Sequence, residues 1–196
     1  MQGLAFFWTF RTIKLVLFWI YLWQLKSYHV GRFVDHFRTH KGKTLICNKL
    51  LLIKIVLLVL LFVRSELFGI LVFLYFAESL LFIKAIANKN IKKPEFTFKA
   101  ILLTLVSLLV SGGYVFIFVA SPIALLLFDI LLPIIISIVV LLIQPFFVLA
   151  RNRILQKATQ KIGQHKNLIV IGITGSYGKT STKEFLTTIL SRNLMC

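Results

Sequence analysis

The sequence predicts a mostly α-helical chain in two parts. A polytopic membrane region comes first, followed by the first β-strand, phosphate loop and helix of an α/β nucleotide-binding unit. Three observations carry this reading. Of 196 residues, 59% are hydrophobic, above the roughly half apolar content of soluble domains, and they lie in blocks long enough to cross a ~30 Å hydrocarbon core. The 23 Lys and Arg, set against 6 Asp and Glu, fall between those blocks. Finally, VIGITGSYGKTSTKEF at residues 170–185 has the order strand, glycine loop, Lys-Thr and helix that phosphate binding requires. The domain division that follows is residues 1–150 for the membrane region, 151–166 for a basic linker helix and 167–196 for the start of the nucleotide-binding unit.

A net charge of +17 calls for an anionic partner, and its distribution decides which. Nucleic-acid binders spread Lys and Arg over a soluble surface. Here the charge is confined to connections between apolar blocks, as the positive-inside bias demands. The expected partner is a lipid bilayer, and nucleic acid is excluded. The two cysteines, Cys47 and Cys196, lack metal-site spacing and are not expected to form a disulfide in a reducing compartment. The N-terminus has no small-residue cleavage site after a short apolar core and does not read as a removed signal peptide.

The first apolar block, residues 4–25, is long enough to span but contains Arg11 and Lys14, each costing about 2.5–3.5 kcal/mol at a bilayer centre. It is either a poor span or an interfacial helix, and a span is favoured. Its aromatics Trp8, Trp19, Tyr21 and Trp23 suit the headgroup region. In the basic stretch 26–49, Val30, Phe33, Val34 and Phe37 mark one face of a short amphipathic helix, expected to rest on an anionic leaflet beside Arg32 and Arg38. His36 and His40 are four apart, without a third ligand, and read as solvated. Residues 50–63 and 67–83 form a helical hairpin around Arg64-Ser65-Glu66, with Lys49 and Lys54 snorkelling to water. Glu78, inside the second arm, is expected to reach water or pair with a lysine such as Lys54.

A second basic loop covers residues 84–99. Residues 100–120 make an uninterrupted span whose Ser107, Ser111, Gly112 and Gly113 permit close helix approach. After Ser121-Pro122, residues 123–150 form the last block, which is long enough to span with tilt. It carries Asp129 about two turns in, as a structural polar contact or part of a small-molecule path. The basic segments 26–49, 84–99 and 151–166 all face the cytoplasm on this reading. Five spans with the N-terminus outside, or four plus an interfacial first helix, satisfy that constraint. Residues 151–166 read as a short surface helix ended by Gly163.

The run LIVIGI at residues 168–173 is rich in β-branched residues, as in a parallel strand covered on both faces. The loop Thr174, Gly175, Ser176, Tyr177, Gly178, Lys179, Thr180 and Ser181 follows, then a helical pattern through Phe185, Leu186, Ile189 and Leu190. Glycines let the backbone turn with its N–H groups inward, and those groups with a helix N-terminus attract polyphosphate. Lys179 would reach the β- and γ-phosphates of ATP, and Thr180 would ligate Mg²⁺. The general pattern G-x-x-x-x-G-K-[ST] places glycine where this chain has Ile173, so the loop is T-G-x-x-G-K-T instead.

Over residues 168–192 this loop resembles that of the Mur ligase family, whose members add amino acids or dipeptides to the nucleotide-linked precursor of peptidoglycan. Ser176 and the tail Thr182-Lys183-Glu184 are most similar to the branch that adds D-Ala-D-Ala to a UDP-muramoyl tripeptide. The resemblance implies a truncated α/β ATPase domain, ATP and Mg²⁺ as cofactors, and Lys179 as catalytic residue. It also implies a peptidoglycan precursor and D-Ala-D-Ala as partners, and a bacterial inner-membrane location with the loop in the cytoplasm. In the implied reaction ATP phosphorylates the precursor's carboxylate, and the incoming amine displaces phosphate from the acyl phosphate. Membrane helices stand where the family carries a uridine-nucleotide domain. The chain ends before the family's metal-binding and purine-binding residues, so it reads as an N-terminal fragment inactive by itself. Three other readings remain: a poly-glutamate-type amide ligase with a similar loop, a transporter resting on Glu78 and Asp129, and a membrane interaction protein.

Overall fold

The computed structural model describes residues 2–46, 48–164 and 171–193. Cys47, Cys196 and the 168–170 half of the expected strand lie outside the described residues. The elements are α1 (Gln2–Leu25), α2 (Val30–Arg38), α3 (His40–Ile46), α4 (Lys49–Val63), a 3₁₀ turn (Ser65–Leu67), α5 (Phe68–Ala87), α6 (Phe98–Phe118), α7 (Pro122–Gly163) and α8 (Lys179–Asn193). The chain divides into two units, Met1–Leu149 and Ala150–Cys196.

The first unit is a helical bundle whose segments Gly3–Leu25, His40–Val63, Phe68–Ala87 and Phe98–Phe118 are long and apolar enough to cross a membrane, as is α7, which begins in it. Its surface is built for lipid. Phe62, Phe73, Leu109 and Phe116 are exposed, while Lys54, Glu78, Ser107, Ser111 and Asp129 are buried. Soluble monomers rarely expose apolar patches beyond a few hundred Å², and a helical exterior of this kind satisfies its backbone internally, as hydrocarbon requires.

Helix α1 is the centre of this unit and packs along α5 and α6. That corrects the reading of its tryptophans. Trp8, Trp19 and Trp23 are buried against neighbouring helices, not turned to the outside of the bundle. The indole N–H of Trp8 donates to the Leu125 carbonyl at 2.9 Å, and that of Trp23 to Ser137 Oγ at 3.2 Å. Both bonds tie α1 to α7, and a buried indole needs such a partner. Ser79 Oγ adds a bond to the Phe7 carbonyl at 3.2 Å. On α6 the inward stripe is Ala100, Leu103, Ser107 and Ser111, the helical spacing of one face. Gly112 and Gly113 are exposed, and nothing lies within 4 Å of a Cβ at either. The small residues that admit close approach are thus Ala100 and the two serines.

After α1 the chain reverses through Ser27 and Tyr28, both at φ 55°, a left-handed conformation that costs an L-residue on the order of 1–2 kcal/mol. The Tyr28 N–H to Trp23 carbonyl bond at 2.9 Å closes the reversal. It delivers α2 against α1, where Phe33 stacks on Trp23 at 3.8 Å between ring centroids and Phe37 lies edge-on to Phe33. The amphipathic face therefore divides. Its aromatic half docks on α1, and Val30 and Val34 stay exposed beside Arg32 and Arg38. Burial, and then the charge of Lys26, hold the His36 imidazole below its usual pKa, so the positive charge of this helix rests on its arginines. Gln24 clamps the far loop, donating to the Glu95 carbonyl and accepting from the Glu95 N–H.

Helix α7 runs without a break from Pro122 to Gly163. Residues 151–163 of the linker helix expected at 151–166 continue α7, because no helix breaker separates Ala150 from Arg151. Pro133 and Pro145 lie inside it and deprive the carbonyls of Asp129 and Leu141 of their helical donors.

Replacing Phe33 with alanine is expected to cost on the order of 3 kcal/mol at this junction. The check is amide hydrogen exchange, in which α2 loses protection while α6 keeps its own.

Candidate functional site

The predicted phosphate loop lies in the second unit. Thr174, Gly175, Ser176, Tyr177, Gly178, Lys179, Thr180 and Ser181 are all exposed. Residues 171–175 are irregular, 176–177 bend, and α8 starts on Lys179. The described residues contain no β-strand. A strand exists only through its ladder to a neighbour, and among the described residues no second extended segment pairs with Ile171, Gly172 and Ile173.

Gly178 is at φ +76°, a region glycine enters without a Cβ penalty. A Cβ there would meet nothing within 4 Å, so the requirement is conformational. Gly175 is at φ +154°, and a Cβ on it would stand 3.4 Å from the Tyr177 carbonyl oxygen. The Thr182 N–H to Gly178 carbonyl bond, 2.9 Å, closes the first turn of α8. That turn leaves N–H groups without helical acceptors, at the positive end of the helix dipole. With the Lys179 ammonium and Thr180 hydroxyl on the same turn, the donor set fits a polyphosphate with its magnesium ion. Among the described residues no group of three His, Cys, Asp or Glu gathers as a metal site.

The first unit holds a second polar centre. Lys54 of α4 is 2% exposed. Its Nζ lies 2.9 Å from Glu78 Oε2 of α5 and 2.5 Å from Asp129 Oδ2 of α7. The Tyr75 hydroxyl donates to the same Asp129 oxygen at 3.3 Å, and the Lys54 ammonium sits 4.9 Å from the Tyr75 ring centroid. Arg11 of α1 closes the arrangement, with Nη1 at 3.2 Å from Glu78 Oε1 and Nε at 3.7 Å from Asp129 Oδ1. Two cations thus interleave with two carboxylates, one from each of four helices, and the centre is neutral. Arg11 Nε, Glu78 Oε1 and Asp129 Oδ1 form no hydrogen bond. Arg11 therefore holds Asp129 through charge, whereas Lys54 does so through hydrogen bonding.

No family model, curated protein or solved structure matches the chain.

The cluster's geometry corrects the reading of Lys54 and decides between the alternatives open for Glu78 and Asp129. Lys54 does not snorkel; it turns inward. Glu78 takes the lysine partner expected for it. Asp129 is a structural contact to Lys54, Arg11 and Tyr75, so both acids that would serve a transport path are held by cations. The sequence signal for the cluster is partial. Lys54, Glu78 and Asp129 each sit alone in a separate apolar block, and an isolated intramembrane charge needs a partner, whereas the block of Arg11 also holds Lys14 and does not say which of the two turns inward. Tyr75 gives no such signal, because its hydroxyl is one among several aromatics.

Lys54→Met is expected to destabilise the fold by about 3–5 kcal/mol, since it strands buried carboxylates. Adding Asp129→Asn restores the charge balance and recovers part of that loss. The exposed Lys49→Met stays within about 0.5 kcal/mol. Unfolding titrations in mixed micelles measure all three.

Proposed function

We propose that the chain is the membrane-anchored, nucleotide-binding part of an ATP-dependent amide ligase of the Mur type, working on peptidoglycan precursors. The observation that carries the reading is the junction at Gly178. A left-handed glycine immediately precedes a helix whose first two residues are Lys179 and Thr180, the arrangement a triphosphate cradle needs. Lys179 would neutralise charge on the transferred phosphoryl group, and Thr180 would hold its magnesium ion. When bound, the magnesium ion supplies charge compensation at the β- and γ-phosphates. The Gly175 and Gly178 turn keeps backbone N–H groups free for the phosphate oxygens. Ser176, Lys183 and Glu184 incline the assignment towards the D-Ala-D-Ala-adding branch and away from poly-glutamate synthesis.

The bundle, on this reading, anchors the ligase in the bacterial inner membrane with five spans and the N-terminus outside. The positive segments 26–49, 84–99 and 151–166 hold the loop on the cytoplasmic side, where ATP is present.

The 196-residue chain in lipid nanodiscs is expected to bind MgATP, and Lys179→Ala to weaken binding at least about tenfold, the loss of roughly one charge-assisted hydrogen bond. Equal affinity in both proteins contradicts the cradle. For topology, single cysteines are placed in a background lacking Cys47 and Cys196. An impermeant maleimide applied to right-side-out vesicles should label Ser121→Cys directly and Lys89→Cys only after permeabilisation.

A further inference from the structure

Beside the ion cluster lies a cavity of about 420 Å³, within the range of small-molecule pockets. Its charged lining is four cations, Arg11, Lys14, Lys54 and Lys92, against Asp129 alone. We propose that this cavity binds a phosphoryl anion, carried on a lipid headgroup or free.

The case rests on which cations are already matched. Lys54 is committed to Glu78 and Asp129. Arg11 is committed through Nη1 to Glu78, while its buried Nε has no hydrogen-bond acceptor. Lys14 has no carboxylate within 4.0 Å among the described residues. Its described contact is the Phe82 ring, 5.9 Å from Nζ to the centroid. A cation–π contact at that range contributes about 0.5–1 kcal/mol and brings no counter-charge. The half-buried Lys14 thus stands in the cavity without a matching carboxylate among the described residues, and an anion there would supply the counter-charge.

The walls narrow the class of anion. Lys14 and Arg11 rise from one helix and Lys92 stands in the loop after α5, so positive charge approaches from two elements. A tetrahedral phosphoryl group accepts from several directions, whereas a planar carboxylate is matched by one fork. The exposed amides of Asn48 and Asn90 line the cavity near solvent, and Phe18 and Phe82 make an apolar wall along which an acyl chain can lie.

The test uses the 196-residue chain in phosphatidylcholine nanodiscs, with binding read from tryptophan fluorescence, to which Trp19 of the cavity lining contributes. Phosphatidic acid should saturate the signal, and Lys14→Gln with Lys92→Gln should weaken it at least about tenfold. Neither residue belongs to the neutral cluster, and unchanged unfolding in phosphatidylcholine alone verifies the fold. Inorganic phosphate that displaces phosphatidic acid assigns the site to the free anion; failure to displace it assigns the site to the lipid. Either result upholds phosphoryl binding. An undiminished response in the double variant, or oleate saturating as strongly as phosphatidic acid, overturns it. A phosphatidic acid carrying a diazirine beside its glycerol provides a readout without substitutions. Crosslinks should concentrate at Phe18 and Phe82, and an even spread over the exposed apolar faces overturns the proposal as well.

Discussion

A single ammonium group held between two carboxylates organises the membrane part of this protein. Lys54 joins α4 to α5 through Glu78 and to α7 through Asp129, and Arg11 brings in α1. At an effective dielectric constant of about 20, opposite unit charges 4 Å apart attract by about 4 kcal/mol, comparable to the cost of placing each charge in hydrocarbon. The balance is local and depends on all four members. Pairs of this kind add little net stability over an apolar core. What they do is penalise every arrangement in which the four helices are out of register.

Close packing around α1 follows from the same need. Helices in lipid gain no hydrophobic energy by associating, so their contacts depend on fit and polar bonds. The indoles of Trp8 and Trp23 supply such bonds to α7, and Ala100, Ser107 and Ser111 give α6 a smooth face. Arg11 and Lys14, which make α1 look a poor span in isolation, lie on the cavity and cluster side of the bundle. The charged cavity and the neutral cluster are thus two parts of one polar interior.

The apolar blocks, the turn around Arg64–Glu66 and the short helix at Val30–Arg38 were legible because block length and helical spacing are local properties. The Lys54–Glu78 pair was legible because one buried charge predicts another. The inward turn of the tryptophans was not, since indoles at a headgroup and indoles bonded to a neighbouring helix have the same sequence pattern. Nor was the four-helix cluster, because matching Arg11 and Asp129 requires knowing the depth of each residue. The loop behaves differently again: Gly178 before Lys179 is a local instruction and forms a turn and helix, whereas the run before it needs partner strands to become a strand.

The most direct test of the account is a dipolar-dephasing measurement by solid-state NMR on the 196-residue chain in bilayers, with Lys54 Nζ labelled with nitrogen-15 and carboxyl carbons with carbon-13. The account predicts that Glu78 and Asp129 both dephase the Lys54 signal, and that its ammonium protons exchange with water far more slowly than those of Lys49. Dephasing by neither carboxylate, with exchange as fast as at Lys49, would show that the bundle is not built around this charge.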